Sequence, residues 1–394
     1  MADRNREATD LRGAFAYENW RAALSHEPLS SVYEHPLFSD THFSISRDLQ
    51  TRFGPYLLYN TQSRGISTTQ PSFILRIDYH HVDRKMPDLG TTDVSRFHGG
   101  GVEDELAALL SLNLRVRLKA GAMTRLFLPG GTDPKGQPFV PHKGNPILVK
   151  RPYGDPMLPH VIDMHDPSEA TLVNRFPHLS PIESIALVRA ARLYQDAVWI
   201  AEAEPQSSWL LLVSAAETAA NHWRAANETA VERLRTSRPE LAELLVNVGG
   251  QEHLSQVADL IADYMGATRK FLDFLIEFMP DAPEPRPRAY DQHSWEHVAL
   301  KKSLRTIYGW RSRALHGGTP IPSPMCDEPI RSGNGWSEVM VGYGAGAYGG
   351  VWTARDAPMK LHLFEYIVRG ALIKWWDSML PLTALPKAQT EPKL

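Results

Sequence analysis

The chain has 394 residues, 43% of them hydrophobic, with ten tryptophans and a formal net charge of -3. That length exceeds what one hydrophobic core usually serves, so two domains are expected; near-neutrality excludes a generally basic protein, and any affinity for a polyanion must come from a local patch. The single cysteine, Cys326, excludes an internal disulfide and a cysteine-rich zinc site.

The N-terminal segment MADRNREATDLRGAF carries charges where a signal peptide needs an apolar run, and no long uninterrupted apolar stretch follows. Neither secretion nor membrane insertion is expected, and the setting read from this is cytoplasmic. Residues 1–178 read as a mixed α+β domain. SFILRIDYHHV (72–82), LNLRVRLKAG (112–121) and TRLFLPG (124–130) have strand character, bounded by Gly and Pro. GGGVEDELAALLSLNL (99–114) reads as a helix with an acidic first turn, and Glu103, Asp104 and Glu105 argue against a phosphate cradle at its triple glycine. From Gly130 to Pro181 the chain is rich in Pro, Gly and His, which describes long loops and a boundary.

Beyond Ser180 helical periodicity dominates, and residues 179–385 read as an all-α bundle. Helices are expected over 181–203, 207–226, 228–234, 239–248, 254–279, 297–315 and 359–380. The prolines of PDAPEPRPRA (280–289) and a Gly/Pro-rich insertion at 319–358 interrupt them, and a flexible tail is expected at 386–394. The helix around LLLVSAAETAANHW is apolar almost all round, yet Glu217 stands in its middle. A carboxylate there needs a partner, with a guanidinium from another helix the obvious one, unless it lies on a single wet edge.

The stretch YGWRSRALHGG (308–318) supplies the sharpest constellation. An arginine and a histidine five residues apart point about 140° apart on a regular helix. A helix ending at His316, with Gly317 and Gly318 as a left-handed exit, frees the imidazole to turn toward Arg311. A guanidinium that holds a phosphate oxygen and an imidazole that moves the proton of a 2′-hydroxyl or of a leaving 5′-oxygen suit RNA cleavage. The spacing alone is unspecific: Arg21/His26, Arg76/His81 and Arg288/His293 share it. Only Arg311/His316 combines helical surroundings, aromatics before the arginine, Ser312 after it and glycines after the histidine.

IYGWRSRALHGG resembles the signature of HEPN domains, helical ribonucleases with an R-x4-6-H motif, and most of all their Apea-like subgroup. The resemblance covers roughly residues 182–380 and takes in the glutamate-bearing helix and the closing apolar helix HLFEYIVRGALIKWW. It implies a HEPN-type bundle with Arg311 and His316 as catalytic residues and Glu217 and Ser312 as supporting ones. It also implies a homodimer with a composite active site, and metal-independent cleavage of RNA leaving a 2′,3′-cyclic phosphate in toxin or antiphage defence settings; no cofactor is expected, and tRNA is one candidate substrate. The insertion at 319–358 is longer than the family pattern.

Local charge is consistent with RNA as the partner. Lys301, Lys302, Arg305, Arg311 and Arg313 occur with no acid between Lys301 and His316. Tyr308 offers a stacking surface for unpaired bases, as does Trp310, although an aromatic beside a helix more often packs in the core. A second basic run, Arg115, Arg117, Lys119 and Arg125, either extends an RNA path or is a solvated face. The N-terminal domain reads as a sensor or as a substrate- or partner-recognition module, with a protein or phage-derived activator a candidate ligand. A catalytically silent HEPN scaffold is the alternative. Among lesser signals, DYHHVD (78–83) and MHD (164–166) offer ligand types that a zinc or manganese site could use, but sixteen histidines make such pairs cheap and no metal is assigned. Gly344, Gly346 and Gly349 match G-x-G-x-x-G without the helix a dinucleotide site needs, so a hairpin or loop is expected. Cys326, among prolines and acids, lacks an activating base.

Overall fold

A computed structural model describes residues 12–44, 50–61, 70–81, 90–131, 133–140, 144–149, 154–225, 229–261 and 266–379. The expected tail at 386–394 lies outside these, as do Val82 and Asp83 of the DYHHVD motif. The described chain divides into two compact units, one running to Leu211 and resuming at Ile373, the other Leu212–Leu372. A strand-rich N-terminal region is followed by a helical C-terminal part.

In the first unit α1 (Phe15–Leu24) precedes β1 (Ser31–Ser39), β2 (His42–Phe43), β3 (Gln50–Phe53), β4 (Tyr56–Asn60) and β5 (Gln70–Tyr79). Then come α2 (Val102–Leu114), β6 (Lys119–Ala120), β7 (Arg125–Phe127), β8 (Gln137–Pro138), β9 (Met164–His165) and α3 (Pro181–Ile200). The main sheet runs β3-β4-β5-β1-β7-β8 with β6 also on β1, antiparallel throughout. The fully buried Glu105 of α2 accepts from the backbone N–H groups of Phe15 (2.9 Å) and Ala16 (2.5 Å), so a carboxylate from one helix neutralises the positive end of another.

The strand expected at 112–121 is shorter than predicted. Buried Leu109, Leu110, Leu112 and Leu114 continue α2 until Arg115 turns left-handed (φ 59°), and only Lys119–Ala120 pairs with β1. The boundary also moves from the expected residue 178. α3, capped by Ser180 and Glu183 around Pro181 at its first position, packs on α2. Gln195 of α3 donates to the Leu118 carbonyl (2.6 Å) and Asp196 accepts from Lys119 (2.7 Å), tying α3 to the strand region.

The division falls within α4 (Pro205–Ala225) and again within α9 (Leu361–Ser378). Between them stand α5 (Ala230–Ser237), α6 (Pro239–Ile261), α7 (Ala267–Glu277) and α8 (His297–Gly317). α5 and α6 share a small core of Leu234, Ala242, Leu254 and Ala258. The two helices expected at 239–248 and 254–279 are drawn differently: α6 bends at Gly250 (φ 70°), and α7 starts afresh after Gly266. The insertion at 319–358 carries two hairpins, β10 (Arg331–Ser332) with β11 (Gly335–Trp336), and β12 (Gly344–Ala347) with β13 (Gly350–Thr353). Among the described residues no helix is long and apolar enough to cross a membrane.

Candidate active site

α8 shows two ridges of opposite character. Leu300, Leu304, Ile307, Tyr308 and Arg311 recur at helical spacing on the inward face, the first four buried and Arg311 half-buried. Lys301, Arg305, Gly309, Ser312 and His316 recur at the same spacing on the outward face, flanked by Lys302 and Arg313. Lys302, Arg305, Arg313 and His316 are exposed, whereas Lys301 and Ser312 are half-buried. The basic stripe expected from the sequence is therefore this outward ridge, and Arg311 stands apart from it.

Glu217 of α4 explains where Arg311 goes. One carboxylate oxygen accepts from the Tyr308 hydroxyl (2.7 Å) and the other from an Arg311 N–H (2.8 Å), both side chains of the ion pair being about one-fifth exposed at most. The carboxylate on the otherwise apolar helix thus has its guanidinium partner, with a phenol sharing it. Because Tyr308 occupies one oxygen, the guanidinium binds through the other alone rather than as a two-pronged fork. Among the described residues, the buried Nε–H of Arg311 has no hydrogen-bond partner. The guanidinium carbon also lies 5.7 Å from the Tyr308 ring centroid.

Tyr308 is corrected from the base-stacking role read from the sequence. Its ring is 7% exposed and packs on Phe271 of α7 with centroids 5.1 Å apart, leaving no face open to a base. Burial, and then the hydrogen bond to Glu217, push its phenol from 10.0 up to about 12. The neutral phenol's contribution is complete below pH 10 and is lost as pH rises toward 12, a difference of about 2 kcal/mol. Tyr308→Phe should therefore be less stable than wild type at pH 8, with the gap closing by about that amount at pH 12; denaturant melts at both pH values measure it, and a gap independent of pH would count against the Tyr308–Glu217 bond.

His316 departs from the geometry expected of it. The helix carries through Gly317, and only Gly318 (φ 63°) is left-handed, its N–H closing on the Arg313 carbonyl. His316 therefore keeps helical register, exposed, about 140° around the axis from Arg311 and about 7.5 Å along it. Within one chain the two side chains do not converge. Trp310 packs inward (6% exposed): its indole N–H donates to the Asp356 carbonyl (2.7 Å), and the Arg313 guanidinium lies 3.7 Å from its ring centroid.

The other spaced pairs serve local structure. Arg76 binds Glu34 (3.0 and 2.5 Å), and His26 turns left-handed (φ 58°) after α1. His293, its basicity lowered by burial, meets Ser303 at 2.8 Å and Ser294 at 2.7 Å. The second basic run is no continuous RNA path, because Arg117 is buried between Asp40 and Glu202. Asp166 of MHD caps a short turn through Ser168, and the described residues hold no cluster of three or more metal-ligand types. The surroundings of Cys326 also differ from the sequence reading: Lys360, buried and bonded to the Pro324 carbonyl (3.0 Å), stands within electrostatic reach.

Two further residues at the α4–α7 contact were missed from sequence. Buried Lys270 donates to Asn221 (3.2 Å), one helical turn beyond Glu217. The available signal was Asn221 at the fourth position after Glu217, on the same face of α4. Compared with protein-family models, curated proteins and solved structures, the chain matches none.

Proposed function

We propose that the chain is a metal-independent endoribonuclease of the HEPN type, with Arg311 and His316 as its catalytic residues. The observation that carries this is the state of Arg311: Glu217 fixes the partly exposed guanidinium through one carboxylate oxygen and one of its N–H groups. A guanidinium so held has donors left for the non-bridging oxygens of a scissile phosphate and for the charge that develops there. His316 takes the proton of the 2′-hydroxyl or returns one to the leaving 5′-oxygen, so that the 2′-oxygen forms its bond to phosphorus as the 5′-oxygen departs. The products are a 2′,3′-cyclic phosphate and a 5′-hydroxyl. Glu217 and Tyr308 are positioning residues, and Ser312, Lys301, Lys302, Arg305 and Arg313 line the outward ridge along which RNA runs.

Because Arg311 and His316 diverge within one chain, the site is completed by a second copy whose own α8 end faces the first. In this reading the N-terminal unit is a sensor or recognition module, with a protein or phage-derived activator as its ligand, and the setting is toxin or antiphage defence with RNA, tRNA included, as the target. The divergence of the two side chains also favours a second reading, a silent HEPN scaffold in which the Glu217–Tyr308–Arg311 cluster only braces the helices.

One experiment separates them. Purified protein is incubated with total RNA in EDTA, new 5′ ends are sequenced, and Arg311→Ala and His316→Ala are run beside the wild type. The nuclease reading expects cuts ending in cyclic phosphate from wild type and none from either variant. Equal cutting by all three removes these residues from the chemistry, and no cutting by any leaves the scaffold.

A further inference from the structure

The hairpin of β12 and β13 departs twice from what a hairpin needs. Its turn places Tyr348 (φ 49°) and Gly349 (φ 82°) in the left-handed region, where the first position favours Asn, Asp or Gly. A tyrosine there strains the backbone, and its side chain is wholly exposed, as is that of Tyr343 at the hairpin's foot. The second departure is Gly346. It is not among the glycines with positive φ, and an added Cβ would meet only ordinary contacts at 3.6 and 3.8 Å, so neither backbone nor packing within the chain calls for glycine. The result is bare backbone beside exposed Val351, its cross-strand partner.

The hairpin's foot is fixed beside the proposed site. Asp356 accepts from the Thr353 hydroxyl (2.8 Å) at the end of β13, and its carbonyl accepts from Trp310 (2.7 Å), under the guanidinium of Arg313. No charge occurs from Val341 to Thr353, whereas the outward ridge beside it is basic. An uncharged hairpin with two wholly exposed tyrosines, anchored at its foot to Trp310 beneath Arg313, is complementary to a strand with unpaired bases: phosphates meet the basic ridge and base faces meet the rings. A duplex hides those faces. Gly309 repeats the pattern on the ridge itself, where an added Cβ would meet only Arg313, at 3.7 Å.

We infer that this hairpin is a base-stacking platform that makes the protein select unpaired RNA, an inference that rests on the ribonuclease reading above. The test uses the full chain and a 2′-O-methyl strand of about twelve nucleotides, which binds but cannot be cut, alone and annealed to its complement. Wild type should prefer the single strand. Tyr343→Ser and Tyr348→Asn should each weaken single-strand binding about tenfold, the size expected for one stacked base, and leave the duplex unchanged. Gly346→Val should weaken it too while leaving the melting temperature the same or higher, which a merely structural role for the glycine would not give. No single-strand preference in wild type, or unchanged binding in all three variants, overturns the inference. So does a loss of dimer mass in light scattering with RNA affinity intact, which would make the hairpin a contact between copies. Cleavage of ordinary RNA by wild type and His316→Ala is run in parallel: binding with the expected preference but no cutting fails the ribonuclease reading alone, and cutting with hairpin variants that bind like wild type fails this inference alone.

Discussion

His316→Ala is expected to slow RNA cleavage by about 10²- to 10⁴-fold, the range for loss of one general acid or base, while changing stability by less than about 0.5 kcal/mol. The second half follows from its position. His316 is exposed in the last turn of α8, and the helix is closed by Gly318, whose N–H reaches the Arg313 carbonyl without help from the imidazole. Among the described residues the exposed ring closes no part of the helix end, so a loss of rate with an unchanged melt isolates chemistry from structure. Arg311→Ala is a poorer probe, because it leaves Glu217 with Tyr308 as its one remaining partner in the cluster and perturbs both stability and rate. Arg311→Lys keeps the charge and loses the planar guanidinium, and should recover the fold better than the activity. Single-turnover cleavage of a labelled RNA beside thermal melts measures all three; a His316→Ala rate equal to wild type would end the assignment.

How much of this was legible beforehand differs by element. The helices of the C-terminal part follow from strong 3.6-residue periodicity, and the need of Glu217 for a cationic partner follows from electrostatics alone, since an apolar helix cannot carry a lone carboxylate cheaply. That the partner is a guanidinium from another helix was the most constrained of the long-range inferences; that it is Arg311 only the packing of α4 against α8 shows. That Tyr308 shares it was not readable, because a tyrosine between apolar positions serves equally as core or as a stacking face, and only the approach of Phe271 from α7 decides. The placement of α3 with the first unit was hidden for a similar reason: composition changes at Ser180, but the partners of Gln195 and Asp196 lie some seventy-seven residues upstream. Hairpin register in the insertion depended on a turn at Tyr348–Gly349 that breaks the usual turn chemistry.

The largest effect on stability is expected far from α8. Arg117, in a sequence run that reads as basic surface, is 1% exposed. Its guanidinium donates to Asp40 (3.0 Å), to Glu202 (2.6 Å) and to the Val198 carbonyl (2.8 Å), and Asp40 and Glu202 are themselves almost wholly buried. Arg117→Met keeps most of the volume but takes the cation away from two carboxylates in a medium that solvates them poorly, and should destabilise the protein by about 3 to 5 kcal/mol. The triple variant Arg117→Met/Asp40→Asn/Glu202→Gln removes the charges together, and the amide of residue 202 can still accept from the Met157 N–H, which Glu202 now binds at 3.2 Å. It should recover most of the loss, because the cost of breaking a buried network lies mainly in the groups left unpaired. Denaturant unfolding of the two variants beside wild type measures this. A single variant within about 1 kcal/mol of wild type would mean that water reaches the triad on Arg117 loss, and a triple variant as unstable as the single would mean that packing around the guanidinium stem, rather than its charge, holds the strands to α3.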